Sequence, residues 1–348
     1  MTGEAERGRG RTASRWVLPF ILILAAAPAA GGEVSTVLSL EAGGLVSYSD
    51  LDGWSADGVF SQTNELGFEY FGKASGERGD FLTFDLQTRL SYDPARPDDE
   101  PWAIEVHNAW LEYKLGLGQQ VRAGHFEPAF GLERAVDTHG TLLQTLAMDA
   151  VGAKHDWGVA YRGQLGGADL EVAAQIGSGM GIERKDGSFL ATARASTPPG
   201  GAFRIGGSLL HGRTLDSMGM RTIPQPLYSE TATERTMAGA DAEWSAGALD
   251  LSLDAAAGWI EDQGAVGGLL QVGAPFPRTD ALRVEAQFSA WWEEHVDEEA
   301  ALSAVVCASY RLTPGWTLRA AIASDRSYGN IPDETRLVFQ AYYYGVAP

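Results

Sequence analysis

The sequence predicts an all-β chain closed as a transmembrane antiparallel β-barrel of sixteen strands. Three observations carry that expectation: a two-residue alternation of apolar and polar side chains, connections that alternate between long and tight, and aromatic residues placed near strand ends. Each excludes something. Alternation at period two excludes a helical bundle. The rhythm of the connections separates a closed up-and-down barrel from a soluble β-sandwich, which gives no reason for it. Rings at both ends of an apolar band are the interfacial girdles of a membrane barrel.

The 348 residues carry 46 Asp+Glu against 26 Lys+Arg, a formal net charge of -20, and one Cys. Phosphate contacts need clustered Lys and Arg, so no nucleic-acid partner is expected. A hydrophobic content of 45% is too high for an acidic disordered chain. The lone Cys307 closes no intramolecular disulfide and builds no Cys-based zinc site, and no metal or cofactor is expected.

At the N-terminus, Arg7, Arg9, Arg11 and Arg15 precede an apolar run from Trp16 to Ala27 and the small residues Ala27-Pro28-Ala29-Ala30. That order of basic, apolar and small residues predicts a secretory signal over residues 1–29, with a barrel domain over 30–348. Removing it, with four Arg and two Glu, takes the charge from -20 to -22. In the remainder, charges or Gly-rich turns interrupt every apolar run short of a spanning helix.

The first strand is expected over 34–48, where Val34, Leu38, Leu40, Val46 and Tyr48 share one face. Then follow 64–73 and 80–92, the latter with Leu82, Phe84, Leu86 and Leu90 opposite Asp85, Gln87 and Arg89. Next come 103–113, 119–127, 157–165, 169–177, 188–196 and 202–212. The series ends with 236–245, 249–260, 265–273, 280–293, 301–312, 316–324 and 336–345. Tight turns such as Gly166-Gly167-Ala168, Ala246-Gly247-Ala248 and Thr313-Pro314-Gly315 alternate with long connections, of which 128–156 is the longest. Tyr48, Tyr92, Trp110, Trp244, Trp259, Trp316 and Tyr343 are expected in the girdles.

Polar faces should line the lumen. They place Glu41, Glu65, Glu69, Asp85, Glu105, Glu112, Glu171, Asp241, Asp254 and Glu285 inward, together with Arg89, Arg122, Arg162, Arg194, Arg204 and Arg319. His107 also faces inward, near Glu105. Such a mixed-charge lumen conducts small polar solutes and tunes them electrostatically.

The segment Gly124-His125-Phe126-Glu127-Pro128-Ala129-Phe130-Gly131-Leu132-Glu133, with Ala109-Trp110-Leu111-Glu112-Tyr113 before it, resembles the phosphate-selective porin O/P family. Asp156-Trp157-Gly158-Val159 is similar to a further stretch of that family, and the likeness spans about residues 103–175. The resemblance implies a trimeric channel in the outer membrane of a Gram-negative cell, surrounded by its lipid. It also implies passive diffusion of small solutes or inorganic ions, anions such as phosphate among them. A porin's third loop folds into the lumen, which would put Glu133, Arg134, Asp137 and His139 at a constriction with Arg122. Arg89, Arg162, Arg204, Glu105 and His107 complete the expected pore lining.

No enzymatic role is expected. The alternatives are an outer-membrane barrel enzyme of protease or lipase type, or a non-conducting structural barrel. The six His show no His-x-His or His-Glu-x-x-His spacing, although spatial adjacency is open.

Overall fold

The computed structural model describes residues 33–347, without 61, 78, 97–98, 117, 133–140, 199, 216–219, 226–228, 295–299 and 327–331 and without the Asp149 side chain. The signal expected over 1–29 lies outside these residues. Among the described residues, no helix is long and apolar enough to cross a membrane.

Sixteen strands form the wall. They are β1 (Glu33–Ser49), β3 (Asn64–Gly76), β4 (Gly79–Tyr92), β5 (Trp102–Gly116), β6 (Gln119–Phe126), β7 (Asp156–Leu165), β8 (Ala168–Gln175) and β9 (Phe189–Ser196) on one side. On the other are β10 (Phe203–Thr214), β11 (Thr233–Ala246), β12 (Leu249–Ile260), β13 (Gln263–Pro275), β14 (Leu282–Glu293), β15 (Ala301–Arg311), β16 (Trp316–Arg326) and β17 (Glu334–Val346). The three-residue β2 (Gly53–Ser55) pairs only with the loop end of β1, from Ser47 to Ser49. Every neighbouring pair is antiparallel, and β1 closes on β17 from Ser39↔Val346 to Ser49↔Arg336. Closure leaves no unpaired edge. All sixteen expected strands are present, with ends shifted by three residues or fewer.

Burial is inverted relative to a soluble protein. Outward Leu209, Phe288 and Val306 are 62%, 49% and 48% exposed, whereas inward Glu41, Arg89 and Glu105 are 2%, 3% and 1% exposed. A barrel in water would have the opposite order.

Three local features depart from the expectation. At one turn the alternation slips: β4 Gln87 pairs with Asn108 and Thr88 with Val106, so His107 is the extra residue of a β-bulge. A bulge shifts the face by one residue. It is the reason Glu105 and Glu112, seven positions apart, both point inward. It also removes Trp110 from the girdle: Trp110 is buried in the lumen, with the Arg122 guanidinium 3.8 Å from its ring centre. Second, β12 and β13 are joined at the loop end by only Glu261 and Asp262, which breaks the long-short rhythm. Third, β2 was not expected, because three residues are too few to show a period.

The described residues of the connection from 127 to 155 fold into the lumen, as the resemblance implies. Phe130, Leu146, Ala147 and Val151 pack against inward Leu210, Met237, Leu269 and Trp291 on β10, β11, β13 and β14. Leu142 and Leu143 join Leu45, Val305, Cys307 and Val338 on the wall formed by β1, β15 and β17. One turn of π-helix, Ala147–Val151, lies within this loop and is terminated by Gly152 in the left-handed region.

Candidate pore lining and constriction

Inward residues on adjacent strands meet as cross-strand pairs, and here these pairs are ionic. Arg89 on β4 lies 2.6 Å from Glu41 on β1 and 3.2 Å from Glu65 on β3. The Tyr342 hydroxyl donates to the other side of the same network, 2.5 Å from Glu41 Oε1. One level nearer the loops, His107 is 3.1 Å from Glu105, and Arg96 reaches the same carboxylate from the 93–101 loop at 3.6 Å. Toward the turns, Arg122 lies 3.0 Å from Glu112, and Arg162 bridges Glu112 and Glu171 at 3.0 and 3.1 Å. Arg194 pairs with Asp241 at 2.5 Å and Arg204 with Glu243 at 3.1 Å.

Such burial removes both partners from bulk water, so each pair depends on its geometry and supporting hydrogen bonds. Removing one partner would strand the other charge. The pairs therefore fix the inward side chains in place and set the shape of the lumen.

The inserted loop is pinned along its length. Ala129 N–H donates to Thr192 Oγ1 at 3.1 Å, Gly131 N–H to Ser208 Oγ at 3.1 Å, and Leu132 N–H to Asp254 Oδ2 at 3.2 Å. Gly131 adopts φ +56, and a Cβ there would lie 2.6 Å from Asp254 Oδ2, so both backbone and space call for glycine. Farther on, Thr141 Oγ1 donates to Glu285 at 3.2 Å, Gln287 Nε2 to Gln144 O at 2.7 Å, and Arg235 Nη1 to Val151 O at 2.7 Å. The described parts of the loop thus touch the wall from β9 to β14 and, through Leu142, the opposite side near β1. A cavity of about 340 Å³ opens at the turn end beside Arg162, Arg194, Arg204 and Glu171. Another, of about 280 Å³, lies at the loop end beside Leu143, Gln287, Asp325, Glu334 and Arg336.

Of the expected lining residues, Arg89, Arg122, Arg162, Arg204, Glu105 and His107 all point into the lumen, each within contact of an opposite charge. Glu133, Arg134, Asp137 and His139 lie outside the described residues. Sequence reading missed the supporting cast. His125 and His155 join His107, with ring centres 5.8 Å apart for His107–His155 and 5.7 Å for His125–His155. His155 also lies 3.3 Å from Glu127. The loop residues Arg96, Arg221 and Thr222 are drawn inward too. Alternation says nothing about loops, so no signal marked these. Among the described residues no group of His, Cys, Asp and Glu is placed to hold a metal ion.

A closed sixteen-stranded antiparallel barrel with apolar residues outside, charges inside and a loop across its lumen is an outer-membrane β-barrel of porin type. Several solved structures similar to it are outer-membrane proteins. The anion-selective porin of Comamonas acidovorans aligns with a TM-score of 0.63 at 13% identity, over 90% of this chain and 100% of that one. OmpT of Vibrio cholerae in its trimer form aligns at 0.61 and 10%, over 90% and 99%. The outer-membrane channel DcaP of Acinetobacter baumannii aligns at 0.58 and 14%, over 90% and 97%. No protein-family description and no curated protein sequence matches the chain.

Proposed function

We propose that the chain is a passive diffusion channel for small polar or charged solutes, exported by a cleaved leader ending near Ala29 and assembled as a homotrimer. The observation that carries this reading is the inserted loop. A closed barrel needs no loop pinned by six side-chain hydrogen bonds across its interior to hold its wall together. Such a loop narrows a passage, and the charged wall opposite it tunes what passes. Arg122, Arg89, Arg162, Arg204, Glu105 and His107 are the proposed lining, with Glu133, Arg134, Asp137 and His139 at the narrowest point. The trimer form recorded for the similar OmpT supports the assembly.

The proposed role is passage, not catalysis, because the inward charged groups are held by one another in ion pairs along the wall. Membership of the O/P porin family, and with it phosphate as a solute, rests on the 103–175 resemblance. The measurement that tests the channel is single-channel conductance of the detergent-purified protein in a planar bilayer. Stepwise currents, grouped in threes, are expected; absence of current overturns the reading.

A further inference from the structure

The cavity at the loop end is built differently from the charged wall below it. It holds about 280 Å³ and lies between the first loop, the inserted loop and strands β14 to β17. One water occupies roughly 30 Å³, so the space suits a small solute. One side of it is apolar: Val59, Phe60, Leu143 and Val305 line it and all belong to the cluster that holds Leu142 and Val338. Phe60 is fixed there at φ +55, an uncommon backbone for a bulky side chain. Reciprocal hydrogen bonds between Val59 and Gln62, both 2.9 Å, close the turn around it, and Gln340 Nε2 donates to Gln62 Oε1 at 3.3 Å.

The remaining lining is polar: Gln144, Gln287, Ser303, Asp325, Glu334 and Arg336. Arg336 is held by Glu334, its Nε donating to Oε1 at 3.0 Å and its Nη2 to Oε1 at 2.6 Å and Oε2 at 2.7 Å. Their charges cancel. Asp325 lies between Ser303 and Glu334 across the strands and makes no ion pair among the described residues. Gln144 is anchored through its backbone carbonyl by Gln287, and its side-chain Nε2 is buried with no hydrogen-bond partner among the described residues. A buried donor of this kind is costly unless something in the cavity accepts from it.

We propose that this cavity is a resting site for a neutral ring bearing several hydroxyls, a pyranose sugar, at the loop-end mouth of the passage. The proposal deepens the channel reading above, on which it rests, by naming the class of solute. The one lining charge without an ion pair is negative, which disfavours anions, and four apolar side chains give nothing to the shell of any ion. A pyranose matches both halves of the lining. Its C–H face packs on the Phe60 ring, its hydroxyls donate to Asp325, and a ring or hydroxyl oxygen accepts from Gln144 Nε2. Few convergent polar groups against an apolar wall are the usual build of a small-molecule site.

The test is the KCl current of the full-length mature protein in a planar bilayer, titrated with methyl α-glucopyranoside. A saturable fall in current is expected, half-complete in the millimolar range. Glycerol, adjusted to the same bulk conductivity, should lower the current only as it lowers that of the bulk solution. Asp325→Ala should raise the half-effect concentration roughly tenfold and Gln144→Met, which keeps the length of the side chain, roughly threefold. Asp52→Asn, on an exposed turn of the first loop, should leave it unchanged. Folding of every variant is checked by its heat-modifiable gel mobility. A sugar effect no larger than that of glycerol, or one that Asp325→Ala and Gln144→Met leave unchanged in folded channels, overturns the sugar site while the channel reading stands. Absence of any current overturns the channel reading. The site is then decided by saturation-transfer NMR of the same sugar on the protein in a detergent without a sugar headgroup: transfer that Asp325→Ala weakens supports it, and absence of transfer overturns it.

Discussion

Two stretches of the same wall meet the membrane differently. From β10 round through β17 and β1 to β5, the barrel strands run 11 to 17 residues. From β6 to β9 they run only 8 to 10. The tall wall satisfies its backbone chiefly by ladder pairing. The low wall leaves the β6-facing edge of β5 without a strand partner above Ala109, because β6 ends at Phe126, while the other edge stays paired with β4. Loop residues take over there. Ile104 N–H donates to Ile223 O at 2.7 Å, Thr222 N–H to Ile104 O at 2.8 Å, and Val106 N–H to Thr222 Oγ1 at 3.0 Å.

The rim of the low wall is held by side chains in place of strands. Asp156 accepts from Gly177 N–H at 2.6 Å and Trp157 N–H at 2.8 Å, and Gln175 Nε2 donates to both Phe126 O and Asp156 O. Met148, Met180 and Met220, one from each of three loops, pack together over it. The lesson is that backbone groups in or near a membrane must all be paired, and a short strand can be completed by a loop only if specific side chains fix that loop. Stability in the tall wall is therefore spread over a ladder, and in the low wall concentrated in a few residues.

The largest effect is expected where the comparison is made from outside. Val306, at the middle of β15 on the outward face, should not tolerate charge: Val306→Arg should destabilise the barrel by roughly 2–4 kcal/mol in equilibrium refolding into lipid vesicles. An effect near zero would show that this face of the tall wall is not in the hydrocarbon layer. Next, Asp156→Ala removes two charge-assisted bonds at one stroke. It should lower stability by about 2 kcal/mol and open the 176–188 loop to added protease while the tall wall stays protected. Uniform loss of protection around the barrel would erase the distinction between the two walls. The smallest change is Thr222→Val, which deprives Val106 N–H of its acceptor. A loss of about 1 kcal/mol is expected, with faster amide exchange confined to residues 104–106.

The low wall also marks the limit of what alternation can reveal. Its strands are found in the sequence, since Val159, Tyr161, Val172 and Arg194 keep their period as well as any on the tall side. Its shortness is visible too. What closes the gap is not, because Thr222 lies 116 positions from Val106 and Gly177 lies 21 from Asp156. The same holds in the lumen. The parity of Arg89, Glu41 and Glu65 places all three inside, but only the register of β1, β3 and β4 brings them to one level. The bulge at His107 is a further case: a single extra residue moves Trp110 from the lipid girdle to a place under Arg122, and nothing in the local composition announces it.

By itself the sequence determined the sixteen wall strands, the face that residues away from the His107 bulge present and that the charges belong inside. These follow from the two-residue period, a local property of a pleated backbone repeated sixteen times. The tertiary structure alone decided which charges meet, where the wall is low and how the 127–155 loop is pinned. Each of those depends on register between strands or on contacts far apart in the chain, and a pattern of period two carries no information about either.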